Sequence, residues 1–147
     1  MTQAAFDATV GQTVSCTKTV GESDVYLFAG ITGDLSDNHV NEDAMAKTPY
    51  GHRIAHGALL VGYMSRASTV IQDKCPDLMA THFPVSLGYD RVRFIKAVLI
   101  GDTITAAYTI TGTEPAKSRT TADVQVTNQR GEICAVATHI MQWIARG

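Results

Sequence analysis

Between Gly57 and about Ile71 the chain carries a segment that constrains everything else. Ala58-Leu59-Leu60-Val61-Gly62-Tyr63-Met64 is apolar on every side for two turns, and only then do Arg66, Ser68 and Thr69 appear. It is too long for one strand, and a helix that is apolar all round must be buried over most of its surface. At 1.5 Å per residue it would be about 22 Å long, the width of a sheet folded around it. The rest of the sequence therefore has to supply a wrapping layer.

The second half supplies it. In Thr103 to Thr111, Ile104, Ala106, Tyr108 and Ile110 fall on one side and threonines mostly on the other, the period of a half-buried strand. Ala122, Val124 and Val126 alternate with Asp123, Gln125 and Thr127, and Asn128-Gln129-Arg130-Gly131 turns the chain into a long last strand, Ile133 to Trp143. Ahead of the helix, Thr13 to Val20 alternates weakly as a first strand. Ser23 or Asp24 can cap a short helix through Val25–Ala29 that stops near Gly30 or Gly33. Asp34 to His39 is expected as a loop, Asn41-Glu42-Asp43 as the start of a helical turn ending before Pro49, and Tyr50 to Arg53 as irregular chain. The sum is an α+β fold in one domain, an antiparallel sheet curled around a long central helix. A length of 147 residues suits one core and is short for two.

Charge and cysteine usage narrow the function. The net charge is −2 and the Lys and Arg residues are scattered, so no basic stripe is present to hold nucleic acid. Cys16, Cys75 and Cys134 are odd in number and far apart, which fits reduced thiols in a cytoplasm better than a disulfide framework or thiolate metal site. No apolar run approaches the ~20 residues that span a bilayer, and the first residues lack the order of a signal peptide. A cytoplasmic protein without membrane segments is expected.

Two polar segments could carry chemistry. Asp34 and His39 lie five apart in a polar stretch between apolar ones. A carboxylate and an imidazole sharing one water can act on it as base and acid. The same residues also suit a plain loop, with Asp34 capping a turn, Asn38 satisfying backbone and His39 exposed; spacing leaves both open. The second segment is Ile54-Ala55-His56-Gly57. Gly57 would let a ligand approach the backbone at a helix N-terminus, whose free N–H groups can hold an oxyanion; the alternative reading is a residue that eases packing at the helix start. His56 could contact substrate or serve as a structural hydrogen-bonder, and Ser65, further along the helix, could line a pocket. His52 and His56 lack the Glu of H-E-x-x-H, Asp34-Asp37-Asn38 lacks calcium-loop spacing, and neither G-x-S-x-G nor G-x-G-x-x-G occurs, so no metal or dinucleotide is expected.

Phe28-Ala29-Gly30-Ile31-Thr32-Gly33-Asp34-Leu35-Ser36-Asp37-Asn38-His39-Val40-Asn41, followed by Arg53-Ile54-Ala55-His56-Gly57-Ala58-Leu59-Leu60, resembles the signature of MaoC-like (R)-specific enoyl-CoA hydratases. Arg93 to Val98 and Gly101-Asp102-Thr103 resemble the strand pair that follows in that family, so the resemblance spans almost the whole chain in order. It implies a hot-dog fold, a homodimer with acyl-CoA at the subunit interface, and no metal or redox cofactor. It also implies hydration of a trans-2-enoyl-CoA to a (3R)-hydroxyacyl-CoA or the reverse dehydration, with Asp34 and His39 handling water and the Gly57 N–H holding the thioester oxygen. The chain departs from the family where Ser36-Asp37-Asn38 replaces a stretch that commonly holds Asn-Pro, which adds a charge beside the site and unsettles any role for Asn38; Ala97, where the family often has Pro, bears little on chemistry. The rival within enzymes is a hot-dog thioesterase that directs the same water at the thioester carbonyl. Outside enzymes it is a non-catalytic acyl-CoA-binding protein.

Overall fold

The structure, a computed structural model, describes residues 3–147. Its helices are α1 (Gln3–Asp7), α2 (Glu22–Thr32), α3 (Asp37–Val40), α4 (Glu42–Ala46), α5 (Gly57–Val70) and α6 (Pro76–Met79). Its strands are β1 (Thr13–Thr19), β2 (His82–Phe94), β3 (Thr103–Glu114), β4 (Arg119–Thr127) and β5 (Ile133–Ala145). The five strands form one antiparallel sheet in the order β1-β3-β4-β5-β2, and α5 packs against β1, β3 and β4 in the hot-dog arrangement.

The long helix is where expected, but its burial is one-sided. Leu60, Met64, Ala67 and Ser68 face the sheet, and Ile71 continues the stripe into a 3-10 turn, Ile71–Lys74. Ala58, Gly62, Ser65, Arg66 and Thr69 face outward. The expectation of burial over most of the surface is corrected here. A single curled sheet covers one side of a helix, and the small residues of the other side leave that side flat rather than greasy.

In β3 the period-2 pattern holds. Ile104, Ala106, Tyr108 and Ile110 are each 1% exposed, while Thr103, Thr105 and Thr109 turn outward and pair through their hydroxyls with Thr19, Thr17 and Thr13 of β1 at 2.7, 2.8 and 2.9 Å. Strand β2 did not show in the alternation, apart from Arg93-Phe94 in the resemblance. It is an edge strand containing Pro84, with register shifts between Ser86 and Gly88 and between Asp90 and Arg93 that break any period of two. Within the expected loop region, α3 is a helical turn, and α2 begins one residue before Ser23, after Gly21, whose N–H donates to the Asp24 carboxylate at 2.8 Å.

One buried polar cluster interrupts the core. His139 on β5 is fully buried, hydrogen-bonded to the Tyr108 hydroxyl at 2.7 Å and the Ser86 hydroxyl at 2.8 Å, and stacked on Tyr89 with ring centroids 4.4 Å apart. Burial pushes its imidazole from the usual 6.5 down to about 4. The unfolded chain therefore binds one more proton than the native state between those values. The contribution of neutral His139 is complete above pH 6.5 and is lost as pH falls towards 4, up to about 3 kcal/mol at 1.36 kcal/mol per pH unit. Urea unfolding of wild type and His139→Gln at pH 7, 5.5 and 4 should show a shallower decline of stability in the variant. Equal declines would mean that His139 is not held neutral.

Candidate active site

The position of Asp34 is set by the end of α2. Gly33 takes the left-handed conformation (φ 78°) and donates its N–H to the Ala29 carbonyl at 2.9 Å, which stops the helix and turns the chain outward. Asp34 follows as an exposed residue; its N–H reaches Thr32 Oγ1 at 3.2 Å, and its Oδ1 accepts weakly from the Ser36 N–H at 3.4 Å. The chain then enters α3, which carries His39 inward to 7% exposure, so His39 is not the surface residue that a plain loop would have made.

The His39 ring is oriented by backbone. Nδ1 lies 2.8 Å from the Ile54 carbonyl, which can only accept, so Nδ1 carries the proton and Nε2 presents a lone pair. A second imidazole lies against the first: His39 and His56 stack with centroids 3.6 Å apart and planes at 24°. His56 is 2% exposed, and its Nε2 donates to the backbone carbonyl of Asp34 at 3.0 Å. Asp34, His39 and His56 each present one donor atom, all within 4.8 Å of one another. These are the residues that could hold a metal ion, and not the His52/His56 pair considered from sequence. His52 instead bonds Glu42 at 2.7 Å on the surface. A span under 5 Å is also what a single water covers with two hydrogen bonds of about 2.8 Å each. The arrangement can thus polarise one water between a carboxylate and an imidazole.

His39 lines a cavity of about 320 Å³ together with, among others, Asn38, Gly57, Leu60, Phe94 and Val98, while Asp34 stands outside that lining. Gly57 is the first residue of α5, where N–H groups have no partner within the helix. It has a steric reason to be glycine: a Cβ there would lie 2.7 Å from Cε2 of the Phe94 ring. The Phe94 ring covers the Cα of Gly57, and the helix N-terminus opens on the cavity that His39 lines. A larger hollow of about 480 Å³ on the outer face of β3, β4 and β5 is lined by Asp123 and Arg91 but by no histidine, so it lacks a carboxylate–imidazole pair.

The remaining sequence candidates are placed differently. His56 lies behind His39 and does not line the cavity, and Ser65 sits two turns along α5 on its outward side, with its carbonyl accepting from the Ser68 hydroxyl at 2.7 Å. Asp37 opens α3 and its Oδ1 accepts from Asn41 at 3.3 Å, while the Asn38 carbonyl accepts the Ile54 N–H at 2.9 Å, so the backbone of Asn38 ties the loop to the approach of α5.

Sequence reasoning missed the brace that holds this approach. Arg53, with a side chain 16% exposed, pairs with Glu22 on α2, bonds Glu42 on α4 at 3.0 Å and donates to the Tyr26 hydroxyl at 2.7 Å. Hydrogen bonds from His52 first, then from Arg53, hold the Glu42 carboxyl down at about 2. A lone arginine between two acidic helix starts was the available signal, but which of them it meets depends on how the helices cross.

Residues 2–132 match the family described as MaoC like domain. The chain is 42% identical over 122 residues, 80% of this chain and 79% of the relative, to an (R)-specific enoyl-CoA hydratase of Rhodospirillum rubrum. It is 34% identical over 113 residues, 77% of this chain and 67% of the relative, to a 3-hydroxybutyryl-CoA dehydratase of Methylorubrum extorquens. An unliganded R-hydratase of Pseudomonas aeruginosa superimposes with a TM-score of 0.77 at 26% identity, covering 93% of this chain and 83% of that one. The chain belongs to the MaoC-like dehydratase family.

Proposed function

We propose that this protein adds water reversibly across the C2–C3 double bond of a trans-2-enoyl-CoA, giving a (3R)-hydroxyacyl-CoA. The observation that carries the reading is that Asp34 and His39 present their side chains within 4.8 Å of each other beside a cavity that opens on the Gly57 N-terminus of α5. The 42% identical relative named for an (R)-specific hydratase supports both the reaction and its stereochemistry.

In this mechanism the thioester oxygen accepts from the Gly57 N–H, which strengthens as enolate charge grows on it. Water sits between the Asp34 carboxylate and His39 Nε2. Its oxygen bonds to C3, the pair takes one proton from it, and that proton returns to C2 on the same face, so the elements of water are added without residue. Only protons and water move, and Asp34, His39 and Gly57 supply every role without a metal or redox cofactor. Ser65 would meet only the far part of an acyl chain running along α5.

The working form is proposed to be a homodimer. The edge strand β2 exposes Phe83 (42%), Val85 (42%) and Leu87 (50%), a row that water does not favour and that a second copy can cover. Among the described residues no helix is long and apolar enough to cross a membrane, and the three cysteines are free thiols, which supports a cytoplasmic enzyme.

Three outcomes test this reading. Asp34→Asn and His39→Gln should each lower crotonyl-CoA hydration, followed by loss of the conjugated thioester absorbance, by at least about 100-fold with KM little changed. Because both act on one water, the double variant should be only slightly worse than the poorer single one. Wild type that releases thiol from saturated acyl-CoA and leaves crotonyl-CoA untouched would make the protein a thioesterase; wild type that does neither would make it a binding protein. Gly57→Ala should fold, because the half-exposed Phe94 ring can swing away, yet lose at least about tenfold in kcat/KM as the oxyanion donor is crowded. Unchanged kcat/KM would remove Gly57 from the mechanism. Sedimentation should show a dimer at micromolar concentration and a monomer for Val85→Lys; a variant that stays dimeric would place the interface elsewhere.

A further inference from the structure

The geometry points to His56 as a positioning residue for the reaction: one ring, held between two others, ties the Asp34 backbone to the back of His39 and so fixes the carboxylate against the imidazole. This inference rests on Asp34 and His39 being the acid–base pair.

His56 stands at the N-cap position of α5, where an ordinary capping side chain would accept from the first turn, and it makes no such bond. Its ring is clamped instead, stacked on His39 at 3.6 Å and against Phe28 at 4.7 Å. The Nε2–H is committed to the Asp34 carbonyl at 3.0 Å, across 22 positions of sequence. The other nitrogen, Nδ1, is buried and has no hydrogen-bond partner among the described residues. A buried unpaired ring nitrogen is a cost to folding. If His56 served the core alone, an apolar ring in the same slot would avoid that cost. What an apolar ring cannot do is hold the Asp34 carbonyl.

That bond matters because Asp34 itself is poorly restrained. Its side chain is exposed and makes one long contact, the 3.4 Å bond to Ser36. His39, in contrast, is locked by the Ile54 carbonyl. With His39 already held by the Ile54 carbonyl, the relative placement of the two groups turns on the tie from His56 Nε2 to the Asp34 backbone. A shift of about 1 Å between groups that must share a water costs on the order of 100-fold in rate, while substrate binding at the Gly57 end of the cavity is untouched. Residues that orient metal-ligating histidines and carboxylates contribute ~10- to 100-fold, and His56 stands in the same relation to Asp34.

Two variants separate the parts of this role. His56→Gln places an amide N–H where Nε2 was and keeps the tie to Asp34; His56→Phe keeps the stacked ring and breaks the tie. For crotonyl-CoA hydration, the Gln variant should stay within about threefold of wild-type kcat. The Phe variant should lose ~10- to 100-fold in kcat with KM within about threefold of wild type. A tenfold or greater loss in the Gln variant overturns the inference, and that arm stands even if the Phe variant is insoluble. So does a Phe variant with wild-type kcat, or one whose loss appears in KM, which would make His56 a substrate contact. Wild type inactive on crotonyl-CoA would fail the underlying hydratase reading, an outcome distinct from active wild type with indifferent His56 variants.

Discussion

Two imidazole rings stacked 3.6 Å apart join the loop after α2 to the start of α5, and the juxtaposition of Asp34 with His39 rests on that contact. Each ring gives its one committed N–H to a carbonyl on the other segment: His39 from α3 to Ile54 ahead of α5, and His56 at the start of α5 to Asp34 after α2. The crossing is reciprocal, so neither segment can slide without breaking both bonds. It also settles the tautomers, and it leaves the lone pair of His39 Nε2 as the group able to take a proton.

Around that crossing the fold arranges rigid supports. The Arg53 side chain braces α2 and α4 against the chain entering α5, and Ile54 and Ala55 pair with Leu99 and Val98 beside the sheet. Gly57 then begins α5 under the Phe94 ring, at the end of β2, so the helix N-terminus, the edge strand and the turn that carries His39 meet at one cavity. The open end of the helix dipole and the absence of a Cβ together leave a backbone donor uncrowded by a side chain of its own.

The same edge strand leaves apolar surface uncovered. β2 carries apolar residues on an open sheet edge, and α5 shows its small-residue side to solvent. The apolar row Phe83, Val85 and Leu87 lies at the start of β2, while Phe94, which lines the cavity, lies at its end.

The local patterns determined a great deal. The apolar run after Gly57 required a long helix, the alternation in β3, β4 and β5 required a curled sheet, and the Gly33-Asp34 and His56-Gly57 pairs marked a helix stop and a helix start where chemistry could sit. These are features of near neighbours in the chain, set by periodicity and backbone conformation. Tertiary structure decided the rest. Only the curl of the sheet made α5 one-sided in its burial, since periodicity reports which residues are apolar and not how many sides are covered. β2 escaped notice because its bulges and its exposed edge erase the period of two. The stacking of His56 on His39 and the reach of Arg53 to Glu22, 31 positions away, depend on how helices cross. Such contacts join residues whose separation along the chain carries no trace of their distance in space.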